Sequence, residues 1–378
     1  MMEARVEVGR VGPSLVRDVS VGVACMIRAV VVGYGLAGRE FHSPLIERQP
    51  ELELYGVVAR DPKVRARATS ERPVRGYASL DEALRDPAVD LIVLATPHDT
   101  HAEMTVKALE AGRHCVVDKV MALTTDETDR MIAARDRSGK MLSVFHNRRW
   151  DWDFATIKDI LARGLIGRPL LFESAVCRFK APSGWRGDLE ASGTILHDWG
   201  AHMVDHALQL GLGPCRRLHC WLWDSPWESV TIGGHGRIIM EFDDSIFQAE
   251  TSRICRVDRP RWWIVGSAGG FVKFGVDPQE EALRAGDIDL AEESEAHQGI
   301  LSAAIDPDPA TTDPATEQKR VPSVRAHWDA YYANIADHLL RDEPLIVTAE
   351  QGREVVRVLE AAIESARDHR TIEGPWGS

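Results

Sequence analysis

Three things are scarce in this chain, and each scarcity excludes a class of protein. Cysteine is sparse: six residues in 378, at 25, 115, 177, 215, 220 and 255, with no C-x-x-C pair among them. A chain this long can bury a sizeable core and needs no disulfide framework, so a reducing cytoplasm is the expected compartment. Cationic excess is missing too. Lys and Arg total 45 against 58 Asp and Glu, a net charge of −13, which makes nucleic acid and anionic membrane unsuitable partners. Long apolar runs are also absent. No stretch reaches the roughly 20 residues of a membrane span, and residues 1–25 lack the apolar centre of a signal peptide. Those 25 residues read as a disordered tail ahead of Met26, which stands directly before the first strand. No internal repeat is visible.

What is present begins at Ile27. The run Ile27-Arg28-Ala29-Val30-Val31-Val32 is an apolar strand leading straight into Gly33-Tyr34-Gly35-Leu36-Ala37-Gly38, followed by helix formers. Strand, G-x-G-x-x-G and helix in that order form the dinucleotide fingerprint. Gly33 serves the tight turn, Gly35 lets the backbone approach a pyrophosphate, and Gly38 lets the helix pack on the strand.

Strands and helices then alternate to residue 145, with apolar strands at 52–59, 90–95, 114–117 and 141–145. Ser79-x-x-Glu82, Thr100-x-x-Glu103 and Thr124-x-x-Glu127 are capping-box signatures for the intervening helices. This alternation predicts a doubly wound parallel sheet whose ligand lies outside the strands' carboxyl ends. After 146 the pattern changes. A helix is expected at 154–163, then strands at 169–180, 216–223, 229–242, 246–255 and 261–267, with one helix at 197–211. Runs of strands predict an open, largely antiparallel sheet. Residues 305–320 read as a surface loop, and helices at 326–341 and 349–368 finish the chain, the second opened by Thr348-x-x-Gln351. The expected division is a tail at 1–25, a Rossmann domain at 26–145 and an α+β domain for substrate and oligomerisation at 146–378.

The second strand ends Val57-Val58-Ala59-Arg60-Asp61. The acidic residue that meets a free ribose 2′-hydroxyl is missing at Ala59, and the Arg60 guanidinium follows. That favours a 2′-phosphate, so NADP over NAD, unless Asp61 does the carboxylate's work. Thr96 and Pro97 stand where the ribose and nicotinamide belong. His101 reads as a helix N-terminal residue and His98 as a solvated loop residue. Lys119 ends the next strand after Asp118, where it can hydrogen-bond a substrate hydroxyl. In 193–206 (GTILHDWGAHMVDH), Asp198, His202 and Asp205 share one helical face at i, i+4, i+7. A histidine among carboxylates is a candidate general base. A buried polar network or a metal site is the alternative, but no second ligand cluster accompanies it and no metal is expected.

These residues resemble the glucose–fructose oxidoreductase / inositol dehydrogenase / MocA family over about 26–375. The resemblance rests on the glycine loop, the ATPxxxH run at 95–101, the lysine strand end and the G-x-x-x-x-D-x-G-x-H helix. HNRRWD at 146–151, Trp185-Arg186, 265–286 and LIVTAEQG at 345–352 bring it nearest to the NADP-dependent scyllo-inositol dehydrogenase subgroup. The resemblance implies a Rossmann domain, an open-sheet domain that associates into a homodimer or homotetramer, and reversible hydride transfer between a polyol or sugar carbon and the nicotinamide. It assigns Lys119 to the reacting hydroxyl, and Asp198 and His202 to the aspartate and proton-accepting histidine. One departure stands out. The family's Glu-Lys-Pro turn is Asp118-Lys119-Val120 here, and a trans bond with a shifted lysine is expected. Trp150, Trp152, Trp185 and Trp199 are expected around the site, Trp150 and Trp185 as substrate contacts, with Arg178 and Arg186 orienting hydroxyls or an acid group. Two other readings stand beside the dehydrogenase: a lyase or glycoside-cleaving member that uses bound cofactor transiently, and a non-catalytic nucleotide-binding regulator.

Overall fold

A computed structural model describes residues 26–304 and 316–377. The segment 1–25 and residues 305–315 of the expected loop lie outside the described residues. The first sheet has six strands: β1 (Ile27–Val32), β2 (Leu52–Val58), β3 (Arg75–Tyr77), β4 (Leu91–Leu94), β5 (His114–Asp118) and β6 (Leu142–Phe145). Their order is β3-β2-β1-β4-β5-β6, all parallel, as in a doubly wound dinucleotide-binding sheet. Every residue of β4 is buried, because helices cover both faces of the sheet. β3 is short and carries two exposed residues, so its sequence gave no strand signal.

The second sheet has nine strands: β7 (Pro169–Cys177), β8 (Cys215–Trp223), β9 (His235–Glu241), β10 (Ile246–Ser252), β11 (Trp262–Gly266), β12 (Gly269–Lys273), β13 (Gly299–Ala304), β14 (Thr316–Val321) and β15 (Ile372–Trp376). Its order is β14-β13-β12-β11-β7-β10-β9-β8-β15, antiparallel except for the central β7–β10 pair. One face is buried and the other open, seen in the strict in–out alternation of β9. Several expectations are corrected here. Residues 229–234 precede β9 as loop. Residues 316–320 form part of β14, whose exposed polar side chains hid a strand that ladders onto β13. β12 and β13, rich in Gly, Ser and Ala, were not foreseen.

The caps fall out unevenly. Thr124/Glu127 and Thr348/Gln351 form complete capping boxes. Ser79 accepts from Glu82 N–H, while Glu82 turns to the Ala78 N–H instead. Thr100 does not cap: its hydroxyl lies 2.6 Å from the Pro97 carbonyl and 2.7 Å from Thr96 Oγ1, because a tight turn at 98–100 precedes the helix His101–Glu110. The last helix, Ala349–Asp368, packs on both sheets and ties them together across the crevice. No helix among the described residues is long and apolar enough to cross a membrane.

Candidate active site

The glycine loop behaves as its spacing demands. Gly33 has φ +95°, and a Cβ there would lie 2.5 Å from the Ala95 carbonyl oxygen. At Gly38 a Cβ would lie 1.9 Å from the Gly33 carbonyl oxygen. Gly35 has nothing within 4 Å of that position, so open space stands where a pyrophosphate approaches. Tyr34 is buried under the Arg67 guanidinium, and Leu36 and Ala37 start the helix, which runs through a π-turn at Gly38–His42. These residues fit a dinucleotide.

At the end of β2, Asp61 is engaged as a helix cap, accepting from Lys63 N–H at 2.8 Å. The exposed Arg60 side chain has no hydrogen-bond or ion-pair partner among the described residues. At the end of β4, the Thr96 hydroxyl accepts from Thr100, and the Thr96 carbonyl lies 3.0 Å from His101 Nε2. His101 begins its helix as expected, but it is fully buried. His98 is also buried rather than solvated: its Nδ1 donates to the Ser192 carbonyl at 2.9 Å, and Trp185 abuts its ring at 4.9 Å. The segment around 185–192 folds over the strand end and takes it out of water.

The Lys119–Val120 peptide is cis, not trans as expected. Val120 is buried, and its carbonyl lies 2.8 Å from His101 Nδ1. Asp118 accepts from the Lys119 N–H at 2.7 Å and approaches His42 Nε2 at 3.7 Å, while His42 Nδ1 shares a 2.7 Å hydrogen bond with the Tyr332 hydroxyl. Burial works to raise the Asp118 carboxyl, but the His42 contact and the Lys119 charge outweigh it and hold it at about 2.

Lys119 Nζ donates to both Oδ1 and the carbonyl of Asp198, each at 3.1 Å. Arg253 Nη2 donates to Asp198 Oδ2 at 2.6 Å. Burial opposes ionisation of Asp198, yet Lys119 and Arg253 together keep its carboxyl well below the usual range. The shared helical face is therefore corrected. The helix spans Trp199–Gln209, and Asp198 sits before it, outside the helical conformation at φ −84°, ψ −99°. Its oxygens serve Lys119 and Arg253 rather than His202. Asp205 is likewise taken, in a buried two-pronged pair with Arg149 (2.6 and 2.9 Å). His202 is left alone. Its Nδ1 is buried without a partner among the described residues, and burial first, then Lys119 and Arg148, push its pKa well below the ordinary value. It is neutral at neutral pH.

The tryptophans separate. Trp199 lies 5.8 Å from the His202 ring and under the Arg148 guanidinium at 4.0 Å. Trp185 stacks with Arg186 at 4.5 Å. Trp152 is buried with its Nε1 donating to the Ala326 carbonyl, and Trp150 packs edge-on against Tyr331, so both belong to the core. Sequence reasoning missed Arg253, His42, Tyr332 and the Arg149–Asp205 pair. Arg253 was findable, since it follows a β10 strand end just as Lys119 follows β5.

A parallel sheet with an open glycine cradle and a lysine at one strand end, near a neutral histidine of the second domain, defines a nicotinamide-dependent oxidoreductase. The chain belongs to the Gfo/Idh/MocA family: residues 27–146 match its NAD-binding Rossmann domain and residues 154–272 its C-terminal domain. It is 30% identical to the Bacillus subtilis scyllo-inositol 2-dehydrogenase (NADP(+)) IolW, over 92% of this chain and 95% of that one. It is 33% identical to the Escherichia coli oxidoreductase YdgJ, over 92% and 98%. Among solved structures, a Yersinia pestis oxidoreductase superposes with a TM-score of 0.82 at 31% identity, covering 93% of this chain and 98% of the other. The protein is an NAD(P)-dependent oxidoreductase with a Rossmann domain and a mixed, mostly antiparallel sheet.

Proposed function

We propose that this enzyme moves hydride between NADP and a secondary alcohol carbon of a cyclic polyol or sugar. The observation that carries the reading is the meeting of Lys119, from the end of β5, with Asp198 and His202, from the far side of the crevice. Asp198, anchored by Arg253, fixes the Lys119 ammonium where it can hydrogen-bond the reacting oxygen and favour its alkoxide. His202 takes the hydroxyl proton. Its Nδ1 is buried, which assigns Nε2 to that proton, and its depressed pKa keeps the ring neutral and ready. When bound, the nicotinamide would supply the hydride acceptor.

Gly33, Tyr34, Gly35, Leu36, Ala37 and Gly38 would hold the pyrophosphate, Thr96, Pro97, His101 and Asp118 would line the ribose–nicotinamide end, and Arg60 would meet a 2′-phosphate. The scyllo-inositol dehydrogenase of B. subtilis supports a cyclic polyol, as does a relative named 1,5-anhydro-D-fructose reductase, which is 30% identical over 44% of this chain. The outward face of the nine-stranded sheet, with Trp221, Trp223, Ile246 and Trp263 exposed, is the proposed surface for a homodimer or homotetramer. The test is a panel of inositols, hexoses and glycosides with NADP and NAD, read by absorbance of the reduced cofactor. Turnover lost in Lys119→Ala and His202→Ala supports the reading. A panel without turnover, or His202→Ala at the wild-type rate, refutes it.

A further inference from the structure

Two arginines stand side by side at the edge of the catalytic cluster. The Arg178 N–H donates to the Ser252 carbonyl at 3.0 Å, continuing the parallel β7–β10 ladder and setting Arg178 beside Arg253. Arg253 reaches from that position to Asp198 at 2.6 Å, so the pair of arginines stands at the edge of the catalytic cluster. The neighbouring cations have carboxylate partners. Arg148 holds Asp151 at 3.2 Å and Glu280 at 2.5 Å, and Lys119 and Arg253 share Asp198. The exposed Arg178 side chain has no hydrogen-bond, ion-pair or ring partner among the described residues. Burial and the repulsion of Arg253 outweigh the attraction of Asp198 and Glu280, lowering its pKa.

We propose that Arg178 receives a carboxylate carried by the substrate, so that the enzyme prefers a sugar acid or uronate over a neutral polyol. The guanidinium offers a planar two-pronged fork that matches a carboxylate. The neighbouring Lys119 and His202 then address a hydroxyl of the same molecule. Arg186, stacked on Trp185, has no carboxylate partner among the described residues either.

The inference rests on the dehydrogenase reading above, and its test separates the two. Initial rates of NADP reduction are measured for D-glucose against D-glucuronate, D-galactose against D-galacturonate, and D-glucose 6-phosphate, with wild type, Arg178→Gln and Arg178→Lys. The expected result is at least tenfold higher kcat/KM for the acid in one pair, a preference that shrinks towards unity in Arg178→Gln, returns in part in Arg178→Lys and weakens with added salt. A neutral sugar used as well as its acid, a preference that survives Arg178→Gln, or a preference for the phosphate overturns it while leaving the dehydrogenase reading standing. If none of these sugars is oxidised and the wider panel of inositols, hexoses and glycosides also gives no turnover, that reading fails. Calorimetric binding of glucuronate to the NADPH-loaded enzyme then decides the carboxylate site by itself: binding at least tenfold weaker in Arg178→Gln supports it, and no binding or equal binding overturns it.

Discussion

The two halves of the crevice recognise their ligands in different chemical languages. On the side of β1 to β6 the strands are apolar and buried, and the cofactor surface is mostly backbone: a glycine turn, an open space at Gly35 and a helix start. On the other side, charges are buried in numbers. Arg148, Arg149, Asp153, Asp205, Arg261 and Lys273 are all buried, most of them in direct pairs. Backbone groups suit a cofactor of fixed shape. Ionised side chains in a dry setting suit a substrate that must be chosen among close relatives, because each buried charge enforces one geometry.

The comparison breaks most sharply at the Arg149–Asp205 pair. Arg149→Leu leaves a buried carboxylate without its partner and should cost about 3–5 kcal/mol of folding stability in urea titration. An equally buried apolar trim in the first sheet, Ile92→Val, should cost only about 0.5–1.5 kcal/mol. Similar losses would mean that the charged half is not held by its pairs.

The catalytic pair comes next. Lys119→Ala and His202→Ala should each lower turnover by about 10²-fold or more, with NADP affinity nearly intact because the glycine cradle is untouched. The double variant should lose less than the product of the two single losses, since the two groups act on one hydroxyl. Loss of cofactor binding in either variant would erase the division between the halves.

Smaller still is Arg60→Ala, which should weaken NADP by about 1–3 kcal/mol and NAD hardly at all, measured by KM for each cofactor. Equal weakening would show that Arg60 does not read the 2′-phosphate.

The smallest effect near neutrality is the pH dependence. Burial holds His146 and His197 down at about 4 and His206 at about 3, and lowers His202 as well. In the unfolded chain these rings take up protons near 6.5, while in the folded protein they do so at lower pH. The unfolded state therefore binds more protons across that window, and stability should fall as pH drops from about 6.5 towards 4. Turnover should stay level above pH 6.5 and fall only as His202 is protonated below it. An acid limb centred above 6.5 would contradict a buried, neutral His202.

The first sheet was legible because its signals are local. Glycine spacing, apolar strands and the capping box at Thr124 each act within a few residues. The second sheet was legible in class but not in detail. β12 to β14 are built from Gly, Ser and charged residues, and their pairing comes from ladders to strands far away in sequence. The site was read correctly as a set of nearby residues and incorrectly as a set of pairs. Helical spacing grouped Asp198, His202 and Asp205, but a carboxylate bonds whichever cation the fold delivers. Lys119 is 79 positions from Asp198, Arg253 is 55, and Arg149 is 56 from Asp205.

By itself the sequence determined the family, the dinucleotide half and the residue types available for proton and hydride chemistry, since these follow from short-range backbone preferences and spacing. Only the tertiary structure decided which carboxylate serves which cation, that His98 and His202 are dry and neutral, and that Arg178 stands unmatched. Burial and charge pairing are set by elements that meet in space across long stretches of chain, and no local pattern encodes those meetings.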